Sequence, residues 1–147
     1  MPTYTVKFSN FDLNTNNKKK LALAITKVHN KITGANLFFA QVIFQKNKKN
    51  YHFIGGRLAK DKQVFLQGQI RAGRSKQVKK KLIENLRDAI KKNISINKDN
   101  IWVYILDLLP EQMIEYGEIL PQSGKENLWF KSLPKKLQKK LKKIEKP

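Results

Sequence analysis

The chain has 147 residues, 40% of them hydrophobic, enough for one compact domain with its own core and too few for a second large one. It contains no cysteine and two histidines, which excludes disulfides, thiolate nucleophiles and Cys-ligated zinc and leaves too few ligands for a metal site, so no metal is expected. Thirty-one basic residues against 11 acidic ones give a net charge of +20; that balance raises a nucleic-acid partner, but the charge is scattered in short Lys runs and reads first as solvated surface.

The N-terminus, MPTYTVKFSN, places a charge and polar residues where a signal peptide needs its apolar region. The longest apolar run, IWVYIL at 101–106, is far below the roughly 18 residues of a membrane span. A cytoplasmic protein without a transmembrane segment is expected. TYTVKF at 3–8 alternates as a strand does and is followed by the turn-forming SNFDLNTNN. Leu21, Ile25, Val28 and Ile32 then recur at helical spacing, and Gly34 is a natural stop. AQVIF at 40–44 is a second strand, and KNKKNYHFIGGRLAKDKQ after it has the composition of a short hairpin and loop. VFLQGQI at 64–70 is a strand, a helix begins near Ser75 with Val78, Leu82, Leu86 and Ile90 as its stripe, and IWVYIL is again a strand. PEQMIEYGEILPQ predicts a short helical turn and a chain reversal, and LWF at 128–130 a packing or subunit-contact patch. In the tail, Leu133, Leu137, Leu141 and Ile144 form one more helical stripe among lysines, compatible with packing, with an anionic membrane surface or with RNA.

The order strand, helix, strand occurs twice, and the halves align without gaps at an offset of 61: KKKL at 18–21 returns at 79–82, and AQVIF falls on IWVYI. Two βαβ units predict an α/β (α+β) fold with one four-stranded, mainly parallel sheet and two helices on one face. Residues 1–130 form the fused double βαβ domain in this reading and 131–147 a Lys-rich amphipathic tail.

Of the 31 basic residues only four are arginine, and two of these, Arg71 and Arg74, stand in QIRAGRSK between a strand end and a helix N-cap. A guanidinium can grip a carboxylate or phosphate through paired hydrogen bonds, and amides at a helix start favour an anion. The simpler alternative is two surface arginines in weak ion pairs.

Pro2 follows the initiator methionine directly, so removal of Met1 would leave a secondary amine at the chain start. With the doubled βαβ, that residue makes the chain resemble the tautomerase superfamily, of macrophage migration inhibitory factor-like fold, and within it the cis-3-chloroacrylic acid dehalogenase family. The family's positions are filled by Pro2, by His29 in KVHNKITG, by Arg71 and Arg74 in RAGR, by Tyr104 in IWVY and by Glu115 in MIEYG. Taken singly, His29 beside an apolar stripe is more often a core or boundary residue, Tyr104 packing, and Glu115 a solvated acid. The resemblance implies that His29, Arg71 and Arg74 bind and polarise a small unsaturated carboxylic acid, that Glu115 with Tyr104 activates a water, and that a protonated Pro2 donates to C2. It implies hydration or dehalogenation of three-carbon acids such as cis-3-haloacrylate or propiolate to malonate semialdehyde. A neutral Pro2 would instead act as the base of a keto-enol tautomerase. Catalysis without a cofactor is implied as well, as is a homotrimer that covers the open face of the sheet and offers the tail's stripe a surface to pack on. Position 2 maps onto Gln63 and Arg74 onto Leu13 at the repeat offset, so one centre per chain is expected. The chain departs from the family at Ala35 and Phe39 of the GANLFF loop and in its Lys-rich tail. A basic protein binding nucleic acid or an anionic surface is the rival of another class.

Overall fold

The computed structural model describes residues 2–146. In chain order it has β1 (Thr3–Ser9), α1 (Thr15–Thr33), β2 (Gln41–Lys46), β3 (Phe53–Ile54), β4 (Arg57–Leu58), β5 (Gln63–Arg71), α2 (Lys76–Asn93), β6 (Ile101–Leu108), β7 (Ile114–Glu115), β8 (Glu118–Ile119), α3 (Glu126–Ser132) and α4 (Lys135–Ile144), with single 3-10 turns before β2, β6 and β7. The main sheet has the order β2-β1-β5-β6; the outer pairs are parallel and the central β1–β5 pair is antiparallel. It is therefore a mixed sheet made of two parallel βαβ units joined back to back.

Each helix forms where its ends are capped and its stripe is apolar. The Asn14 side chain accepts from the Asn17 amide at 2.8 Å, and Gly34, at φ 73°, closes α1 through its own amide to the Asn30 carbonyl at 2.8 Å. Ser75 does the same for α2 by accepting from Val78 N at 3.2 Å. Leu21 and Ile25 from α1 and Leu82, Leu86 and Ile90 from α2 are buried against Tyr4, Val6, Phe8, Leu66 and Ile70 of the central strands. Each such Leu or Ile contributes about 1.5–3 kcal/mol by leaving water. The opposite face of the sheet carries no helix, and Ile43, Trp102, Tyr104 and Leu106 are exposed there.

One expectation about the repeat fails locally. An offset of 61 holds for the helices, their N-caps and the β2–β6 faces, but the buried residues of β1 are Tyr4, Val6 and Phe8, whereas those of β5 include Val64, Leu66, Gly68 and Ile70. Even positions face the core in both strands, so an odd offset cannot relate them. Because side chains alternate with period two, a one-residue slip exchanges the faces of a strand. Position 2 therefore has no counterpart at Gln63.

A second apolar cluster gathers Ala35, Phe38, Phe39, Met113, Leu120, Leu133 and Leu141. Its members come from the loop before β2, the β7–β8 hairpin and the tail, so the tail packs on its own chain. Leu141 is fully buried, Glu145 Oε2 accepts from Phe38 N at 3.2 Å, and Trp129 Nε1 donates to the Ile119 carbonyl at 2.9 Å. α3 runs through the expected 130/131 boundary, and no helix among the described residues is long and apolar enough to cross a membrane.

Gly68 sits mid-strand with an ordinary strand conformation, and its reason is space: a Cβ there would lie 2.5 Å from Tyr4 Cε1 and 2.8 Å from Ile105 Cδ1. Gly68→Ala should overpack the core and lower unfolding free energy by roughly 1–3 kcal/mol in urea titration; a change below a few tenths would contradict this packing.

Candidate active site

Sheet register brings one set of strand ends together. Thr3 pairs with both Gln41 and Gln69, and Arg71 pairs with Leu108, so the starts of β1 and β2 lie beside the ends of β5 and β6. The last turn of α1 and the first turn of α2 arrive at this same end, because each helix leads into or out of those strand termini. Pro2, His29, Arg71 and Arg74 consequently share it. Pro2 is buried, and its carbonyl accepts from Gln41 N at 2.9 Å.

His29 continues the buried row Leu21, Ile25 by one more helical step and is 1% exposed. At the repeat offset its counterpart is Ile90, so an imidazole occupies a slot that α2 fills with hydrocarbon. Its Nδ1 is 2.7 Å from the Tyr4 hydroxyl, while Nε2 is buried without a partner. Burial lowers its pKa from 6.5 to about 3, and the positive charges of Arg74 and the chain's amino terminus add to that. His29 is a neutral imidazole at pH 7. Burial likewise pushes the Tyr4 phenol above its ordinary value, with Arg74 opposing.

Arg71 is 2% exposed although it ends a strand. Its Nη1 donates to the Pro121 carbonyl at 2.9 Å, and Nη2 is ion-paired with Glu126 of α3. Only Nε is left without a partner. The expectation that the Arg71 fork points at a bound anion is thus corrected: the fork end is turned toward α3. Arg74 donates from Nη1 to the Arg71 carbonyl at 2.7 Å, and its Nε is also buried and unpartnered. Burial and the neighbouring Arg71 charge both lower the Arg74 pKa, with Tyr4, Glu126 and Asp107 opposing. Desolvation raises the Glu126 carboxyl, but the hydrogen bond and charge of Arg71, with backbone amide donors, outweigh it and hold the group below its usual value.

Two clefts open at this end. One, of about 330 Å³, is lined by Ala35, Asn36, Arg71, Arg74, Ser123 and Glu126. The other, of about 470 Å³, includes Thr3, Phe39, Gln41, Leu108, Met113 and Glu115. The loop between α1 and β2 forms a wall of both. Glu115 is set by the β7–β8 hairpin, whose turn holds Tyr116 at φ 56° and Gly117 at φ 87°. The Tyr116 hydroxyl donates to the Phe38 carbonyl and ties the hairpin to that loop. Tyr104 lies elsewhere: it is 52% exposed at mid-strand on the helix-free face, edge-on to Phe65, and lines a third cleft with Lys7, His52 and Trp102. One chain does not bring Tyr104 to Glu115.

Glu126 and Tyr4 were missed at the sequence level. Glu126 is 55 residues from its partner Arg71, and nothing local marks it. Tyr4 had a weak signal: a core-facing tyrosine needs a partner for its hydroxyl. Among the described residues no group of His, Cys, Asp and Glu gathers into a metal-binding cluster.

Comparison with known proteins gives the context. A family model, Tautomerase_3, described as "Putative oxalocrotonate tautomerase enzyme", matches residues 1–132. The crystal structure of a member of the cis-3-chloroacrylic acid dehalogenase (cis-CaaD) family superposes with a TM-score of 0.92 at 31% identity, covering 96% of this chain and 99% of that one. That coverage is wider than the family model's, which ends at residue 132. A fused 4-OT, described as a symmetric trimer, gives a TM-score of 0.73 at 18% identity, covering 80% of this chain and 94% of that one. Macrophage migration inhibitory factor of Toxoplasma gondii gives 0.67 at 14%, covering 79% and 97%. At those identities the likeness is one of fold. No curated protein matches the chain.

The neutral state of His29 has a consequence for stability. Between pH 6.5 and about 3 the unfolded chain binds a proton that the native imidazole refuses, so stability falls as pH drops through that window. The loss between pH 6.5 and about 4.5 should be on the order of 2 kcal/mol. Glu126 acts in the same direction, but its contribution is lost only as the pH falls through its own depressed pKa. Urea denaturation at several pH values should show this slope in the wild type and a flatter one in His29→Gln; equal slopes would contradict the assignment.

Proposed function

The chain belongs to the Tautomerase_3 family, and from that premise we propose that it is an amino-terminal-proline enzyme that hydrates or dehalogenates small unsaturated three-carbon acids. The observation that carries this reading is the set of three buried nitrogens without partners, His29 Nε2, Arg71 Nε and Arg74 Nε. Buried polar groups are nearly always hydrogen-bonded, and two of these nitrogens are N–H donors on cations. A small carboxylate supplies two acceptor oxygens and the missing negative charge.

In this mechanism Arg74 and His29 hold the substrate carboxylate, and Arg71 adds its Nε and its charge while α3 keeps it fixed. Charge that develops toward the carboxylate during water attack is stabilised by donors already in place. Glu115 takes a proton from water, whose oxygen adds at C3. Pro2 gives a proton to C2. From a cis-3-haloacrylate the resulting halohydrin loses halide and a proton to become malonate semialdehyde, and propiolate reaches the same product by hydration. Tyr104 assists Glu115 only across a subunit boundary, since within one chain it lines a separate cleft; a homotrimer closing the helix-free face would meet that need. Ala35 and Phe39, the departures from the dehalogenase pattern in the GANLFF loop, line the arginine cleft and the Glu115 cleft respectively. They are the positions at which this chain's substrate preference would differ.

A second reading rests on Pro2 being buried at the end of the sheet that also holds two guanidiniums. Desolvation and nearby cations favour a neutral amine, which would serve as the base of a keto-enol tautomerase. The rival of another class, binding to nucleic acid or an anionic surface, loses one support, because Leu133 and Leu141 are used inside the chain.

Met1 retained ahead of Pro2 should abolish turnover of cis-3-chloroacrylate, propiolate and an enol acid assayed side by side, whereas processed protein turns over at least one; equal rates would refute the proline mechanism. Glu115→Gln should lower kcat about 10²- to 10⁴-fold with little change in KM, and Arg74→Ala should raise KM roughly 10- to 100-fold.

A further inference from the structure

Tyr4 takes no part in the chemistry above, yet it is the hydrogen-bonding partner of His29. We propose that Tyr4 is a positioning residue: its hydroxyl donates to His29 Nδ1 and so keeps the single imidazole proton on Nε2, where a substrate carboxylate can accept it. This rests on the carboxylate-binding reading of the site.

The two rings form a closed unit. Tyr4 is fully buried on β1 and His29 nearly so on α1, their polar atoms are 2.7 Å apart, and the rings meet edge to face with centroids 5.7 Å apart. The Tyr4 ring is seated over Gly68 and fills the space left by its missing side chain, with Cε1 and Cδ1 at 2.5 and 2.9 Å from where a Cβ would stand. Distance alone does not say which atom donates. Counting donors does. If the hydroxyl donates to Nδ1, the Nε2 hydrogen is the one buried donor left over. If Nδ1 carries the hydrogen and donates to the phenol oxygen, the hydroxyl hydrogen is stranded in the core and Nε2 becomes an unpartnered acceptor. The first arrangement strands fewer buried polar groups, and a stranded one loses its hydration with nothing in return.

The surroundings select the same tautomer. Arg74 is near enough for its charge to act on both His29 and Tyr4, and its Nε is itself an unpartnered donor. An imidazole presenting N–H completes a set of donors to one anion, while an imidazole presenting a lone pair would repel that anion. Burial keeps His29 neutral and the phenol protonated, so each ring has one labile hydrogen to place.

The test is nitrogen NMR of 15N-histidine-labelled protein at pH 7 without substrate, followed by titration with propionate, a saturated three-carbon acid that cannot be hydrated. In the wild type His29 should give a pyrrole-type signal at Nε2 and an acceptor-type signal at Nδ1 shielded by a hydrogen bond. Tyr4→Phe, which keeps the ring, should remove that shielding and weaken acid binding about threefold to tenfold. A pyrrole-type Nδ1 in the wild type would overturn the proposal, and that spectrum decides the matter even if the variant does not fold. A variant with unchanged nitrogen shifts and unchanged affinity would overturn it too. Failure of the carboxylate-binding reading looks different: no shift of any His29 nitrogen when acid is added, whatever tautomer is present.

Discussion

Two guanidiniums and one imidazole are held at the dry end of a sheet with more hydrogen-bond donors than acceptors around them. Removing charged groups from water is expensive, several kcal/mol per ion even after relaxation, so such an arrangement persists only where the protein offsets most of the penalty. Here the Pro121 carbonyl and the Glu126 carboxylate satisfy both Nη groups of Arg71, the Arg71 carbonyl accepts from Arg74 Nη1, and three buried nitrogens remain without partners. Glu126 is the one carboxylate ion-paired with either guanidinium among the described residues, and Asp107, which acts on Arg74 from further off, is itself paired with Lys79. The deficit that is left is about the size of one small anion.

Much of the chain outside the double βαβ core maintains that deficit. α3 supplies Glu126, and α4 fixes the loop at 35–40 through Leu141 and Glu145. The same loop accepts the Tyr116 hydroxyl and thereby sets the hairpin that carries Glu115. A Lys-rich tail that looks like surface decoration thus backs the loop that walls both clefts. Its charged face is exposed while its leucines close the second apolar cluster. The large positive charge of the protein is compatible with this, because lysines on the outer faces of the helices remain in water and cost little.

Local chemistry made most of the fold legible. The apolar stripes of α1 and α2, the Asn14 and Ser75 caps, the Gly34 stop and the Gly55–Gly56 hairpin all act within a few residues, and each element lies where its pattern places it. The repeat was legible in the helices but not in β1 and β5, where a one-residue slip leaves the composition unchanged and reverses the faces. His29 was readable only halfway: its spacing from Leu21 and Ile25 marks a buried slot, but the Tyr4 partner lies on another element. Glu126 and the orientation of Arg71 depend on a contact spanning 55 positions, beyond any local pattern. Tyr104 was legible as a residue and not as a location, since β6 register alone decides that it faces the uncovered side.

The central claim is that an uncapped Pro2 nitrogen shares one site with the carboxylate-holding nitrogens. The most direct measurement is the 15N signal of the amino-terminal Pro2 in processed, 15N-proline-labelled protein, titrated against pH with and without saturating propiolate or an unreactive small carboxylate. An anion seated beside the amine stabilises its charged form, so the Pro2 pKa should rise on binding, and that rise should disappear in Arg74→Ala. A Pro2 titration indifferent to bound acid at concentrations that shift His29 would place the amine outside the site and contradict the account.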